Sequence, residues 1–253
     1  MTRDRGFALL IVLWALVPLS LLFTIMASAA RSDAQLAGNL RQVAAAEAEA
    51  DGAIYTAIFA LMGGGAPAEA EITGLSGLVN PNLAPPAFIA ALLVRLGAEP
   101  REAESLAAAV LDWRTPGQRP SPHGAKAAEY QAAGLSYGPP GAPFETLDEL
   151  REVKGMTPGL WAALRPHLTL FTDGDPDPAA ADPLVRGALR DMGLTRGGAV
   201  ARVVRITASA GRAGIAVTRS AVVRMAPTNS GRGWRVLSWK SGIGRTKEGW
   251  NEE

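Results

Sequence analysis

The side chains of this sequence that could do chemistry are few, and their spacing does not suit catalysis. There is no cysteine, which excludes disulfides, thiol nucleophiles and thiolate metal sites together. The 2 histidines, His123 and His167, fall in segments rich in proline or arginine, which argues against zinc sites and His-based hydrolase triads. No nucleophile stands beside a recognisable base, so the chain is not expected to be an enzyme. Three carboxylates alternate in Asp173-Gly174-Asp175-Pro176-Asp177. The distal bidentate Glu of an EF-hand is missing, and Pro176 and Pro178 stiffen the run, so it reads as a solvated linker. Lys and Arg number 25 against 24 acids, so there is no global excess of the kind a dedicated nucleic-acid binder carries.

The elements that hold these groups begin with an apolar stretch. Phe7 to Ala30 contains 24 residues without a charge, and a helix of that length spans about 36 Å, enough to cross a bilayer. Ala27-Ser28-Ala29 imitates a signal-peptidase site, but the apolar run is long for a cleaved signal. Arg3 and Arg5 precede the span, and a short basic leader stays cytoplasmic, which puts the body in the periplasm and the anchor in the inner membrane of a Gram-negative cell. The Gly6-Phe7 junction is similar to the site cut by prepilin peptidases, which retain the anchor helix; a plain uncleaved signal anchor is the competing reading. Pilin-like proteins carry a Glu at the fifth position after the cut, where this chain has Ile11. Beyond the membrane, Leu36, Leu40, Val43, Ala50, Ile54, Ala57 and Leu61 recur at helical spacings. This predicts one spine helix of about 55 residues ending at Gly63-Gly64-Gly65.

A strand is expected over Ala68 to Thr73, followed by helices through Phe88 to Leu96 and Ala103 to Leu111. The proline-rich stretch Thr115 to Pro143 reads as a long ordered loop or a ligand loop rather than regular structure. Thr146 and Glu149 have capping-box spacing for another helix, and Pro158 starts its partner, Leu160 to Leu168. After a short helix, Pro183 to Met192, period two appears in three runs: Val200 to Ile206, Ile215 to Met225 and Trp234 to Trp239. Gly211-Arg212-Ala213-Gly214 suits a hairpin turn between the first two. Arg202, Arg205, Arg219, Arg224 and Arg235 interleave these runs, which predicts an apolar face covered by the spine and a basic outer face. Ile243 to Glu253 has no period and reads as a flexible tail.

In order along the chain stand Val79-Asn80-Pro81-Asn82-Leu83-Ala84, Leu111-Asp112-Trp113-Arg114, Arg119-Pro120, Gly124-Ala125, Glu129-Tyr130, Phe144 to Leu150, Lys154-Gly155-Met156-Thr157 and Leu164-Arg165-Pro166-His167-Leu168. The series resembles the K-type minor pseudopilin of type II (general) secretion systems, collinear from Gly6 to about Trp239. The missing Glu at the fifth mature position is itself what that family shows. The resemblance implies a non-enzymatic tip subunit that initiates the pseudopilus with the I-type and J-type minor pseudopilins and supports export of folded proteins through the outer membrane. It also implies dealings with prepilin peptidase and the inner-membrane secretion platform, cleavage between Gly6 and Phe7, and methylation of the new amine. The fold class implied is α+β, pilin-like, with a long helix on a small antiparallel sheet and an inserted all-α domain.

The expected organisation is a leader over 1–6, membrane helix over 7–30, periplasmic helix over 31–62, first strands over 66–80, inserted domain over 81–170, linker with a short helix over 171–195, C-terminal strands over 196–241 and tail over 242–253. The resembled family binds calcium in its inserted domain, and Asp112 and Glu129 are the carboxylates available here. Thr115, Gly117, Gln118 and Lys126 stand where family members often have acids or amides, and Lys126 would oppose a dication. Asp112 capping a helix end, or pairing with Arg114 or Arg119, is the competing reading. Val153 to Thr157 also resembles the hairpin of helix-hairpin-helix DNA-binding modules, which hold phosphates on backbone amides. Thr157 stands where such hairpins have a second Gly, and Asp148, Glu149 and Glu152 would repel phosphate.

Overall fold

The computed structural model describes residues 4–194, 202–212, 215–225 and 233–244. Asp4–Met62 form one helix, α1, of 59 residues, about 90 Å long at 1.5 Å per residue. Pro18 lies inside it. In a segment without water every polar group must find a partner within the chain; accordingly Ser20 Oγ donates to the Val17 carbonyl at 2.9 Å and Thr24 Oγ1 to that of Ser20 at 2.8 Å. Large side chains from Val12 to Met26 are bare, Trp14 at 82% and Phe23 at 74% exposure, and among the described residues α1 is the one helix long and apolar enough to cross a membrane. It ends at the glycines expected. Gly64 takes a positive φ of 75°, and the Gly65 amide reaches back to the Ala60 carbonyl at 2.8 Å, a left-handed cap that glycine adopts without strain.

Further along, α1 becomes one-sided and covers a sheet. Four strands, β1 (Glu71–Gly74), β2 (Arg202–Arg212), β3 (Ile215–Met225) and β4 (Trp234–Gly244), pair in chain order, every pair antiparallel. Alternate side chains of β2 (Val204, Ile206, Ala208) and β3 (Ala221, Val223) bury against Ile54, Ala57 and Ile58 of α1. Lower on the helix, Ala46 and Ala50 meet Ala210 and Val217. The helix period of 3.6 and the strand period of two thus converge on one apolar layer. Each fully buried Ile or Val contributes about 1.5–3 kcal/mol by leaving water.

The interval between β1 and β2 folds as a helical domain. It contains α2 (Pro86–Arg95), α3 (Pro100–Arg114), α4 (Ala127–Ala132), α5 (Pro158–Leu164) and α6 (Pro183–Asp191). Phe88, Leu92 and Leu93 of α2, Leu106, Val110 and Trp113 of α3 and Tyr130 of α4 share a single core.

Several expectations need correction. The first strand is shorter than Ala68–Thr73, and it is one strand rather than several before the insert. The segment opening at Phe144 makes a 3-10 turn over Leu147–Glu152, not an α-helix, although its capping box is present. The short helix α6 is not part of a linker: Val185, Ala188 and Leu189 belong to the insert's core, and Arg95 of α2 grips Asp191 with two hydrogen bonds of 2.9 Å. β4 runs on through Gly244, with Ile243 paired to Val217, because main-chain pairing needs no side-chain period. The acidic run is not simply solvated either, since Asp173 pairs with Arg224. Residues 195–201, the turn residues 213–214 and the tail from 245 lie outside the described residues.

The basic-face expectation fails at Arg219. Odd-numbered positions of β3 face the helix, and Arg219 is among them. Its side chain is 9% exposed and bridges Asp51 at 2.8 Å and Glu47 at 3.2 Å on α1. Removing its partners strands a buried charge, which costs roughly 3–5 kcal/mol, whereas an apolar isostere replaces a buried pair at little cost. In urea unfolding of the full chain in detergent, the Glu47→Ala/Asp51→Ala double variant is therefore expected to lose about 3 kcal/mol or more, and Arg219→Met less than about 1.5 kcal/mol. Equal losses would remove this assignment.

Candidate functional site

The sequence-predicted metal candidates, Asp112 and Glu129, lie around the C-terminal end of α3 and the start of α4. A helix leaves its last carbonyls without intrahelical partners, and the proline-rich loop that follows cannot satisfy them with regular structure. The Gly141 amide takes the Trp113 carbonyl at 2.9 Å, and a side chain takes two others. Lys126, 4% exposed, sends its Nζ to the carbonyls of Asp112 and Thr115, both at 2.5 Å. Arg114 donates to the carbonyl of Ala84 at 2.8 Å and to that of Pro81, and burial lowers its pKa from the ordinary value.

The two carboxylates proposed for a cation are otherwise engaged. Both oxygens of Asp112 accept the Ser121 amide, at 3.1 and 3.0 Å, and Glu129 Oε2 accepts the amide of Lys126 at 2.8 Å. The pairing of Asp112 with Arg114 or Arg119 is corrected in favour of Ser121. Among the described residues no group of three or more His, Asp or Glu side chains could hold a metal ion. The calcium implied by the resemblance does not fit here, because an ammonium already sits on the carbonyls that would face it. Gly124 is needed beside this carboxylate: a Cβ there would run into Asp112 Oδ2 and the Ser121 hydroxyl.

The asparagine motif is also structural. Asn82 pairs with the backbone of Phe144, donating to its carbonyl at 2.9 Å and accepting its amide at 2.8 Å. Asn80, 6% exposed, accepts the Asn82 amide at 2.9 Å and donates to the Thr172 carbonyl at 2.7 Å. Trp113 stacks parallel on Phe144 with ring centroids 5.9 Å apart. Spacing alone could not reveal these partners, which lie 62 and 92 residues away.

The hairpin that resembled a DNA-binding module is turned to the same core. Gly155 has a φ of 94°, and the Lys154 amide donates to the Tyr130 hydroxyl at 2.9 Å. Burial pushes that hydroxyl up to about 12, so it stays protonated. Thr157 caps α5 by accepting the Leu160 amide at 3.2 Å. Next to the hairpin lies an open cleft of about 750 Å³ lined in part by Arg101, Glu102, His123 and Lys154.

His167 meets a carboxylate elsewhere, with Nδ1 2.7 Å from Asp182 Oδ2. Asp182 also caps α6 by accepting the amides of Leu184 at 2.8 Å and Val185 at 3.1 Å. Burial raises its pKa, but the hydrogen bond with His167 and those from the two amides outweigh it, so the net value is lowered. Gly6 lies in the first turns of α1, followed by Phe7. The two are far in sequence from every cluster above.

The family model for type II secretion system, protein K, matches residues 66–173. No curated protein matches. Among solved structures, a chain from the GspK-GspI-GspJ complex of the type 2 secretion system of enterotoxigenic Escherichia coli is similar, with a TM-score of 0.60 and 15% identity over 84% of this chain and 98% of that chain. That likeness is one of fold.

Two outcomes follow. Gly124→Ala should push the Asp112 carboxylate off the Ser121 amide and cost about 1–3 kcal/mol, read by urea unfolding. Asp182 titrates lower in the folded chain than unfolded, so its stabilisation is present above about pH 4 and is lost as pH falls through the depressed folded value. Asp182→Asn should flatten that acid limb in a pH series of unfolding midpoints; an unchanged slope would rule this out.

Proposed function

We propose, from the match of residues 66–173 to the family model for type II secretion system, protein K, that this chain is a minor pseudopilin at the tip of the secretion pseudopilus. It initiates assembly there and supports export of folded proteins across the outer membrane. One observation supports the reading: a single helix long and apolar enough to cross a membrane continues as half of a pilin-like core, while residues 75–194 form a helical body between β1 and β2. Such a body is too bulky to repeat along a thin filament, which suits an end position.

The anchor is proposed to lie in the inner membrane with the body in the periplasm, from the basic leader. Prepilin peptidase is proposed to cut between Gly6 and Phe7, after which the Phe7 amine is methylated. The partners are then the I-type and J-type minor pseudopilins, alongside the inner-membrane secretion platform. The solved complex, which joins GspK with GspI and GspJ, supports this. Ile11 suits the tip: a buried carboxylate there is costly unless a neighbouring subunit's amine pairs with it, and the terminal subunit lacks one such neighbour.

Intact-protein mass spectrometry after co-expression with prepilin peptidase should find the segment Met1–Gly6 removed and one added methyl on Phe7. A retained leader would count against the processing site. In a strain lacking this gene, secretion of folded substrates should stop, return with the full chain, and not return with a chain lacking the insert. Undiminished secretion in the deletion strain would overturn the functional reading.

A further inference from the structure

The loop after α3 is closed by a charge that belongs to the chain itself. The carbonyls of Asp112 and Thr115 stand at the C-terminal end of a 15-residue helix, where aligned peptide dipoles concentrate negative potential. A cation is favoured at such a point, whether ion or side chain. Lys126 supplies it from 14 and 11 residues further along, with Nζ 2.5 Å from each oxygen.

The rest of the local structure holds the ammonium in place. The lysine is 4% exposed, so its stem is packed as well as its head. Its amide is bound to Glu129 Oε2, which fixes its backbone at the start of α4. Asp112 engages the Ser121 amide with its carboxylate. The chain therefore closes the loop with carbonyl oxygens and one built-in positive charge. A divalent ion approaching the same oxygens would meet that charge at close range and be repelled.

We propose that Lys126 acts as an internal cation that takes the place of a bound divalent metal, making the fold of the insert independent of calcium. A tethered ammonium has a local concentration set by the chain, not by the surroundings. The insert then keeps its loop closed whatever the free calcium level outside the inner membrane.

The test uses the full chain in detergent, with the fluorescence of tryptophan following thermal unfolding; Trp113 lies in the helix turn next to the loop. The wild-type midpoint should be the same in excess EGTA and in millimolar calcium chloride, since a ligand that binds only the folded state would raise it. Lys126→Met removes the ammonium while keeping an apolar stem. It should unfold several degrees lower and be cut faster by protease within residues 115–125. A wild-type midpoint that falls in EGTA overturns the proposal, as does a Lys126→Met variant as stable as wild type. If Lys126→Met does not fold, Lys126→Arg decides: with the charge retained it should fold and ignore EGTA, and failure on either point overturns the proposal.

Discussion

Everything in this molecule depends on one helix meeting two solvents. Over its first half α1 must satisfy lipid on every side, which admits apolar side chains around the whole circumference and hydroxyls bonded back to their own helix. Over its last third it must satisfy a sheet on one side and water on the other. The buried residues Ala46, Ala50, Ile54, Ala57 and Ile58 trace that single face. Because the helix is continuous through the change, the core of the body and the anchor in the membrane share one rigid element. Arg219 fixes where the sheet sits along it, since its two carboxylates, Glu47 and Asp51, are one helical turn apart.

In the insert the problem is different, because long segments there have no regular hydrogen bonding. Proline removes donors and resists both helix and strand, so carbonyls are left to be satisfied by side chains. Asn80, Asn82, Arg114 and Lys126 meet that need, each serving backbone oxygens distant in sequence. These are residue types that would suggest ligand binding if read by composition. Here their donors are consumed inside the fold, and their burial is tolerable because they are paired.

The sequence made some of this legible and hid the rest, for identifiable reasons. The spine helix and its glycine stop were readable because 3.6-residue periodicity persists over many turns and glycine is needed for a left-handed cap. Strand β3 was readable from period two over its full length, whereas β2 was readable only to Ile206 and runs on through Gly211 and Arg212, which had been expected in the turn. Arg219 was misplaced because alternation sorts residues by polarity, whereas a charge paired across the interface can sit on the apolar side. The end of β4 was missed because Ser241, Gly242 and Gly244 carry no hydrophobic signal, and α6 because nine residues cannot declare which core they join. At the loop after α3, Lys126 was singled out as hostile to a dication, but its carbonyl partners could only come from the folded backbone.

The joint between insert and sheet bears on how a tip subunit could carry load. The insert enters where the Leu75 amide bonds the Val203 carbonyl at 2.8 Å and Ser76 Oγ accepts the Val203 amide at 2.9 Å. It touches the sheet again where Arg224 of β3 bonds the Phe171 carbonyl at 3.1 Å and the Asp173 carboxylate. Between these points Leu75, Val203 and Val222 form a small apolar cluster backed by Phe171. Backbone bonds, an ion pair and a buried cluster at one place leave little freedom for hinge motion, which needs a few residues able to absorb large dihedral changes. Arg219 and the sheet's inner layer tie α1 to the strands, and this joint ties the strands to the helical body. For a part whose proposed work is to push, stiffness along that path matters more than any reactive group.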